Sequence, residues 1–370
     1  MSSQIFQTLK KLPTPFYQSQ CVLHKHELLI CGGEDQRACY SYHTLKNEYK
    51  FICEYPSRVV LTGHCVVKLV DNNNKDSNQI TLLSFGGYHN HSLMMKYVSV
   101  WSNIPNKSNE FNNYNKWFPF TDNHNHPIII GRDHDNYNGA RAVIGGGNNN
   151  LLFITYWRNN ISVFDLNTFQ FIKHDTLPTD NFIQFHCIVS NPEYKQVQEI
   201  TKINQEKNKQ NYQMLLFCRK TGLSIEYSED DNAFQFHQLP VCDSPFFCYA
   251  YVCINDVLFS FGGYDDCVSK SVHKYSIREN KWMTLQNTLP SPLYGCVAIL
   301  SEEDNHIHVI GGHDEDTKVS IHMKTNVRFW DPSQLSKIEI KCIIKHWIRI
   351  LKIKLGWIDD FDKIITKYSK

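Results

Sequence analysis

With 370 residues the chain has room for one large domain or two ordinary ones, and 42% hydrophobic residues, with 13% aromatic, can bury a sizeable core. Lysine plus arginine number 38 against 37 aspartate plus glutamate, so no overall field recruits nucleic acid or an acidic membrane. No stretch approaches the length of a membrane-spanning helix, and the opening residues MSSQIFQTLKKLPTPFYQS lack the apolar core of a signal peptide. The 13 cysteines are an odd number without a C-x-x-C pair, scattered in apolar runs such as CYAYVCI. They predict buried reduced thiols in a cytoplasmic protein, not a disulfide framework or a zinc site.

In chain order, FQTLKKLP (6–13) is the first strand candidate. LLICGGEDQ follows from Leu28, a short apolar run that stops at Gly32-Gly33 and gives way to polar residues; LLSFGGYHN repeats that shape from Leu82. The polar patches DNNNKDSN (71–78) and SNEFNNYN (108–115) read as loops, since such sequence cannot repay its ordering entropy. His124, His126 and His134, within HNHPIIIGRDHD, are the most metal-like cluster, but they fall in a hydrated loop and no metal is expected. GGG (145–147) reads as a turn before Leu151. LLFITYWRNNISVFDLNTFQFIKHDTLP (151–178) keeps the strand pattern with Tyr156-Trp157 where the glycines belong. After a polar stretch at 191–211, MLLFCRKTGLSIEYSEDDNAFQFHQLP (214–240) carries Cys218-Arg219 there. VLFSFGGYDD (257–266) and IHVIGGHDE, from Ile307, restore the glycine pair.

From Gly262 to Gly311 is 49 positions and from Gly32 to Gly86 is 54, while the 176 between Gly86 and Gly262 leave room for two degenerate units. The fifth unit shows the plan. FFCYAYVCI (246–254) turns at Asn255-Asp256 into VLFSFGG; VSKSVHKYSI (268–277) then turns at RENK into KWMTLQNTLP (281–290). Four short strands in a meander are what a propeller blade requires. The apolar run, the glycine pair, Tyr275 in the third strand and Trp282 opening the fourth resemble the kelch repeat, over roughly residues 4–330. That resemblance implies an all-β, six-bladed kelch-type β-propeller across residues 1–330. Moreover, FQTLKKLPTPFYQSQCV (6–22) parallels WMTLQNTLPSPLYGCV (282–297), Phe6 matching Trp282 and Leu9 matching Leu285. The N-terminal strand is therefore expected to complete the last blade and close the ring, with VRFW (327–330) as its rival.

Beyond residue 330 the period changes. Residues 331–370 predict a short α-helical appendage: Ser336 and Glu339 form a capping box, Gly356 suits a C-cap, and a second short helix follows at 357–368. Lys337, Lys341, Lys345, Arg349 and Lys352 form one charged stripe on an otherwise apolar helix. The basic helix 336–355 either packs on the propeller with its lysines in solvent or offers a second contact to a partner.

The Gly-Gly turns are not phosphate cradles, because neither G-x-x-x-x-G-K-[ST] nor G-x-G-x-x-G occurs and strands follow each pair. Kelch-type propellers include galactose oxidase, a copper enzyme, and the scaffold is shared by some sugar isomerases and lyases. No stretch here aligns with the copper ligands, and no Ser-His-Asp or Cys-His arrangement can be assigned from spacing. No catalytic residue and no cofactor are expected. An enzyme or sugar-binding propeller with a site at the central mouth is the alternative, and a structural protein without a defined ligand is a third possibility.

What remains is a surface. In an up-down meander the turns after strands two and four open on the same side of the ring. From the first set come Arg37, Tyr88, His89, Trp157, Arg158, Arg219, Lys220, Tyr264, Asp265 and His313; from the second, Tyr17, Phe247 and Tyr294, with neighbours Phe16, Phe246 and Leu293. Aromatic and arginine side chains around a shallow depression are the material of binding hot spots. These residues are the candidates for receiving a protein or peptide partner, and any one of them could instead pack between blades.

Overall fold

The computed structural model describes residues 5–70, 78–102, 113–191, 211–244, 247–331 and 344–350. They form six four-stranded antiparallel sheets. The first sheet runs through Gln20–His24, Glu27–Gly33, Gln36–His43 and Glu48–Glu54. The second uses His64–Leu69, Gln79–Gly86, His91–Val98 and the two-residue strand Phe118–Pro119. The degenerate third and fourth units also form complete sheets, Arg141–Gly145 through Gln170–Thr176 and Cys187–Ser190 through Ala233–Gln238. Ala250–Ile254, Val257–Phe261, Val272–Ser276 and Lys281–Thr284 make the fifth.

The sixth sheet joins the two ends of the ring. Val297–Ser301, His306–Ile310 and His322–Asn326 take Phe6–Thr8 as their outer strand. Phe6 faces Thr325 and Thr8 faces Met323 in the register. The rival segment makes no strand: Val327–Phe329 is a single 3-10 turn that brings Trp330 onto Phe6, ring centroids 5.5 Å apart. Innermost strands meet around the centre, Gln20–His24 touching both His64–Leu69 and Val297–Ser301. The molecule is a six-bladed β-propeller closed by its N-terminal strand.

The core is divided in the same way. Second strands such as Leu28–Cys31 and Leu258–Phe261 are buried on both faces because each blade is sandwiched between two others. Six hydrophobic clusters result, one at each seam; Phe153 and Tyr212, for example, stack at 5.0 Å between the third and fourth blades. Fourth strands lie at the rim and alternate, as in Gln170–Thr176 with every second residue exposed. Glycine is not needed to end the second strand: Arg219 takes the left-handed conformation itself (φ 51°), as do Arg158 and Asn159 one blade earlier.

Where the glycine pair persists, it brings two backbones together. Gly262 has φ +64°, and a Cβ there would run into the Leu293 carbonyl oxygen. Gly262→Ala therefore combines backbone strain with a clash against main chain that cannot swing aside. We expect it to cost more than about 1 kcal/mol, read as a lower urea midpoint; an unchanged midpoint would contradict the close approach.

Strand limits in the fifth blade are narrower than the sequence suggests. The first strand begins at Ala250 because Cys248 turns into the left-handed region (φ 53°). Phe247 instead pairs with Tyr264 in an isolated bridge, and a small hairpin, Tyr264–Asp265 with Cys267–Val268, occupies residues assigned to the turn and the third strand. In the tail, residues 344–350 are helical, with Ile344 50% and Trp347 60% exposed, so these two are not covered by the described residues. The capping box, Gly356 and the helix at 357–368 lie outside the described residues, as does Phe246. Among the described residues no helix is long and apolar enough to cross a membrane.

Candidate functional site

The turn after strand two and the lead-in loop before strand one interlock on one face. The lead-in loops of the first and sixth blades each bridge two consecutive turns. At the ring closure, Glu34 N–H donates to Tyr17 O at 2.8 Å while Gly312 N–H donates to the preceding Phe16 O at 2.7 Å. The same pattern holds one blade back, where Tyr294 and His313 exchange two backbone bonds of 2.9 and 3.0 Å and Gly263 N–H donates to Leu293 O at 2.8 Å. Alternation explains the side chains: Phe16 and Leu293, at 0% exposure, point into the seams, and the next residues, Tyr17 and Tyr294, lie at the surface side.

Two groups of the sequence candidates come together. Tyr17, Tyr294 and His313 form a triangle with ring centroids 5.1–5.6 Å apart, and Tyr264 adds to it at 5.5 Å from Tyr294. Burial, then the nearby Cys248 thiol, pushes the Tyr17 hydroxyl up, and burial does the same for Tyr294, so both stay neutral donors. Next to them, a cavity of about 410 Å³ is lined by Asn181, Arg219, Lys220, Phe247, Tyr264, Asp265 and Asp266. Arg219 lies over the Phe247 ring at 4.8 Å, a cation–π contact that holds the guanidinium at the cavity wall.

Other candidates stand apart. Arg37 faces Glu54 across the rim at 3.9 Å. Tyr88, 67% exposed, packs edge-on against His89. Trp157 stacks flat on Phe182 at 4.5 Å, and Arg158 holds the left-handed turn beside it. Phe182 follows Asn181 of the cavity, so this aromatic ledge adjoins the cavity through a residue that the sequence did not single out.

The channel below the loops also holds residues that spacing could not reveal. Arg141, on the innermost strand of the third blade, lies over Phe185 at 5.7 Å, and Phe185 meets Phe247 edge-on at 5.6 Å. Arg219, Phe247, Phe185 and Arg141 thus form one ladder from the face into the channel. Its only sequence signal is a lone charge opening the apolar run RAVIGG.

Elsewhere, Cys242 Sγ lies 3.4 Å from His273 Nδ1. Burial raises the thiol and lowers the imidazole, so the pair rests neutral and provides no thiolate nucleophile. His124 and His126 stack at 6.0 Å, and His126 pairs with Asp122 at 3.2 Å. Among the described residues no three His, Cys, Asp or Glu side chains are grouped as a metal ion would need.

The comparisons agree with this class of protein. A family model described as Kelch motif matches residues 245–288, the fifth blade. A solved structure titled "Structure of YjhT" superposes with a TM-score of 0.54 over 85% of this chain and 95% of that chain, at 12% identity, a likeness of fold alone. No curated protein matches the chain in sequence. The fold is a six-bladed β-propeller, and its fifth blade carries a kelch motif.

Proposed function

We propose that the chain is a non-enzymatic interaction module that receives a polypeptide on the face carrying the Gly-Gly turns. The observation that carries this reading is the convergence of Tyr17, Tyr264, Tyr294 and His313 beside the open cavity with Arg219, Lys220 and Phe247 at its walls. Aromatic anchors of low conformational entropy next to cations are the composition of interface hot spots, and the side-by-side Arg219, Lys220 and Asp265, Asp266 set a charge pattern for the partner to match. The cytoplasm, suggested by the thiols, would place such a module among polypeptide partners, and an adaptor role follows if residues 336–355 hold a second protein.

Arg219→Ala and Tyr264→Ala each remove an exposed side chain and leave the second-strand backbone as it is. Each is expected to weaken a polypeptide partner by tenfold or more while circular dichroism and melting stay those of the parent. The measurement is quantitative co-precipitation followed by titration with the purified partner. Equal binding by both variants would remove this face from the reading. Stoichiometric copper or zinc in the purified protein, with turnover of a sugar, would favour the enzyme alternative.

A further inference from the structure

Beneath the loop face, at the end of the channel, is a second cavity of about 210 Å³, lined by Gln18, Ser19, Arg141, Phe185, Tyr251 and Val297 among others. Among the described residues Arg141 is its only lysine or arginine, and no aspartate or glutamate lines it. The guanidinium has five N–H donors. One of them, on Nη1, donates to Ala140 O at 2.9 Å, and among the described residues no carboxylate lies within ion-pair distance of the group. The opposite sign is therefore missing from the described lining of the cavity.

A second, independent feature points the same way. Ser19 is 4% exposed, lines this cavity, and its Oγ has no hydrogen-bond partner. A buried hydroxyl left unpaired costs roughly 1–3 kcal/mol, so its retention in the lining of a cavity that also holds an uncompensated cation is what a ligand oxygen would relieve. The field of Arg141 is felt by Cys65 on the second blade, by His186 just before the fourth, and by Cys248 and Tyr251 at the fifth, in each case after burial as the larger cause.

We propose that this cavity is a binding site for a carboxylate, with Arg141 as the ion-pair donor and Ser19 as a hydroxyl donor. A single guanidinium balances a monoanion, which favours a carboxylate over a phosphate dianion. The walls beyond it, Val66, Ala142, Phe185, Val297 and Ala298, fit a short apolar stem. The carboxylate arrives either on a small organic acid or on an acidic side chain inserted from the face. The site does not require the partner reading to be right.

The test uses the full chain and four probes: butyrate, its neutral isostere butyramide, and the end-blocked peptides Gly-Gly-Glu-Gly-Gly and Gly-Gly-Gln-Gly-Gly, each titrated by calorimetry. Binding of butyrate but not butyramide identifies a free acid as the source. Binding of the glutamate peptide alone identifies a side chain. Arg141→Gln is expected to weaken whichever binds by tenfold or more, and Arg141→Lys by less. Ser19→Ala guards against a folding artefact, since removing an unpaired buried hydroxyl should leave melting unchanged or raise it while affinity falls several-fold. No heat with butyrate or the glutamate peptide, or equal affinity in Arg141→Gln, overturns the proposal. Loss of a partner in Tyr264→Ala with butyrate binding intact would separate the two sites.

Discussion

Removal of residues 1–12 is expected to open the ring and leave a chain that melts far lower or associates. The segment supplies the outer strand of the sixth blade, and its pairing continues past Thr8 through Leu9 N–H to His322 O at 2.9 Å and Leu12 N–H to Ser320 O at 3.2 Å. It also fills two seams. Phe6, 4% exposed, joins the cluster between the fifth and sixth blades with Trp330, and Leu12, equally buried, joins that between the sixth and first. Phe6→Ala alone should cost about 3–5 kcal/mol, the usual figure for emptying a buried phenylalanine site. The full truncation adds the loss of Leu12 and bares the edge of His322–Asn326, which invites pairing with a second copy. The measurements are thermal melting and size-exclusion chromatography. A monomer with parental melting after truncation would show that the ring is held elsewhere.

Acidification is expected to unfold the protein from about pH 6 downward, through imidazoles that fold in the neutral form. At the closing seam His308 Nδ1 and His322 Nε2 are 2.9 Å apart, and the Tyr49 hydroxyl bonds His322 Nδ1. The consistent reading is that Tyr49 donates to His322, which donates to His308, so each ring uses its free nitrogen as an acceptor and a further proton breaks the chain. Burial lowers His308 to about 3, with Lys324 and His306 opposing the charge and Asp304 in part supporting it. His322 is lowered by burial and then by His308. His91 is lowered to about 3 by burial and His64, and burial also lowers His186.

The sign follows from linkage. The unfolded chain takes up these protons near the ordinary imidazole value of about 6.5, whereas the folded protein resists them, so stability is full above that value and is lost as pH falls below it. At pH 5 each such group with a folded value near 3 has cost about 2 kcal/mol, hence about 4 for His91 and His308 together, with His186 and His322 adding to it. That is a large part of the 5–15 kcal/mol typical of a folded domain. Melting temperatures at pH 7.5, 6.0 and 5.0 should therefore fall progressively. A melting temperature flat across this range would mean that these rings are not held neutral.

Much of the architecture was legible without coordinates. The recurrence of an apolar run ending at a glycine pair gave the repeat, and strand alternation with turn dipeptides gave the blade. The match of Phe6 and Leu9 to Trp282 and Leu285 gave the closure. Each is a local pattern, set by the needs of one strand or one turn, and such patterns repeat wherever the blade repeats. Even the degenerate units were placed, because burial of strands such as Leu151–Tyr156 and Asn211–Cys218 depends on their apolar runs and not on the turn beyond them. The loop candidates were legible as positions but not as a set. Nothing in their spacing says that Tyr17 meets Tyr294 and His313 while Arg37 turns to Glu54.

The channel was not legible at all. Arg141, Ser19 and Phe185 belong to different blades or loops, and their meeting depends on how the six sheets are inclined about the axis. The same holds for His308, His322 and Tyr49, which face one another only because the ring closes between the sixth and first blades. Repetition along the chain determined what each blade is, since backbone pairing within a meander involves near neighbours. Which side chains share the central cavity and the seams was decided by the tertiary arrangement, because those contacts join residues far apart in sequence and leave no periodic trace.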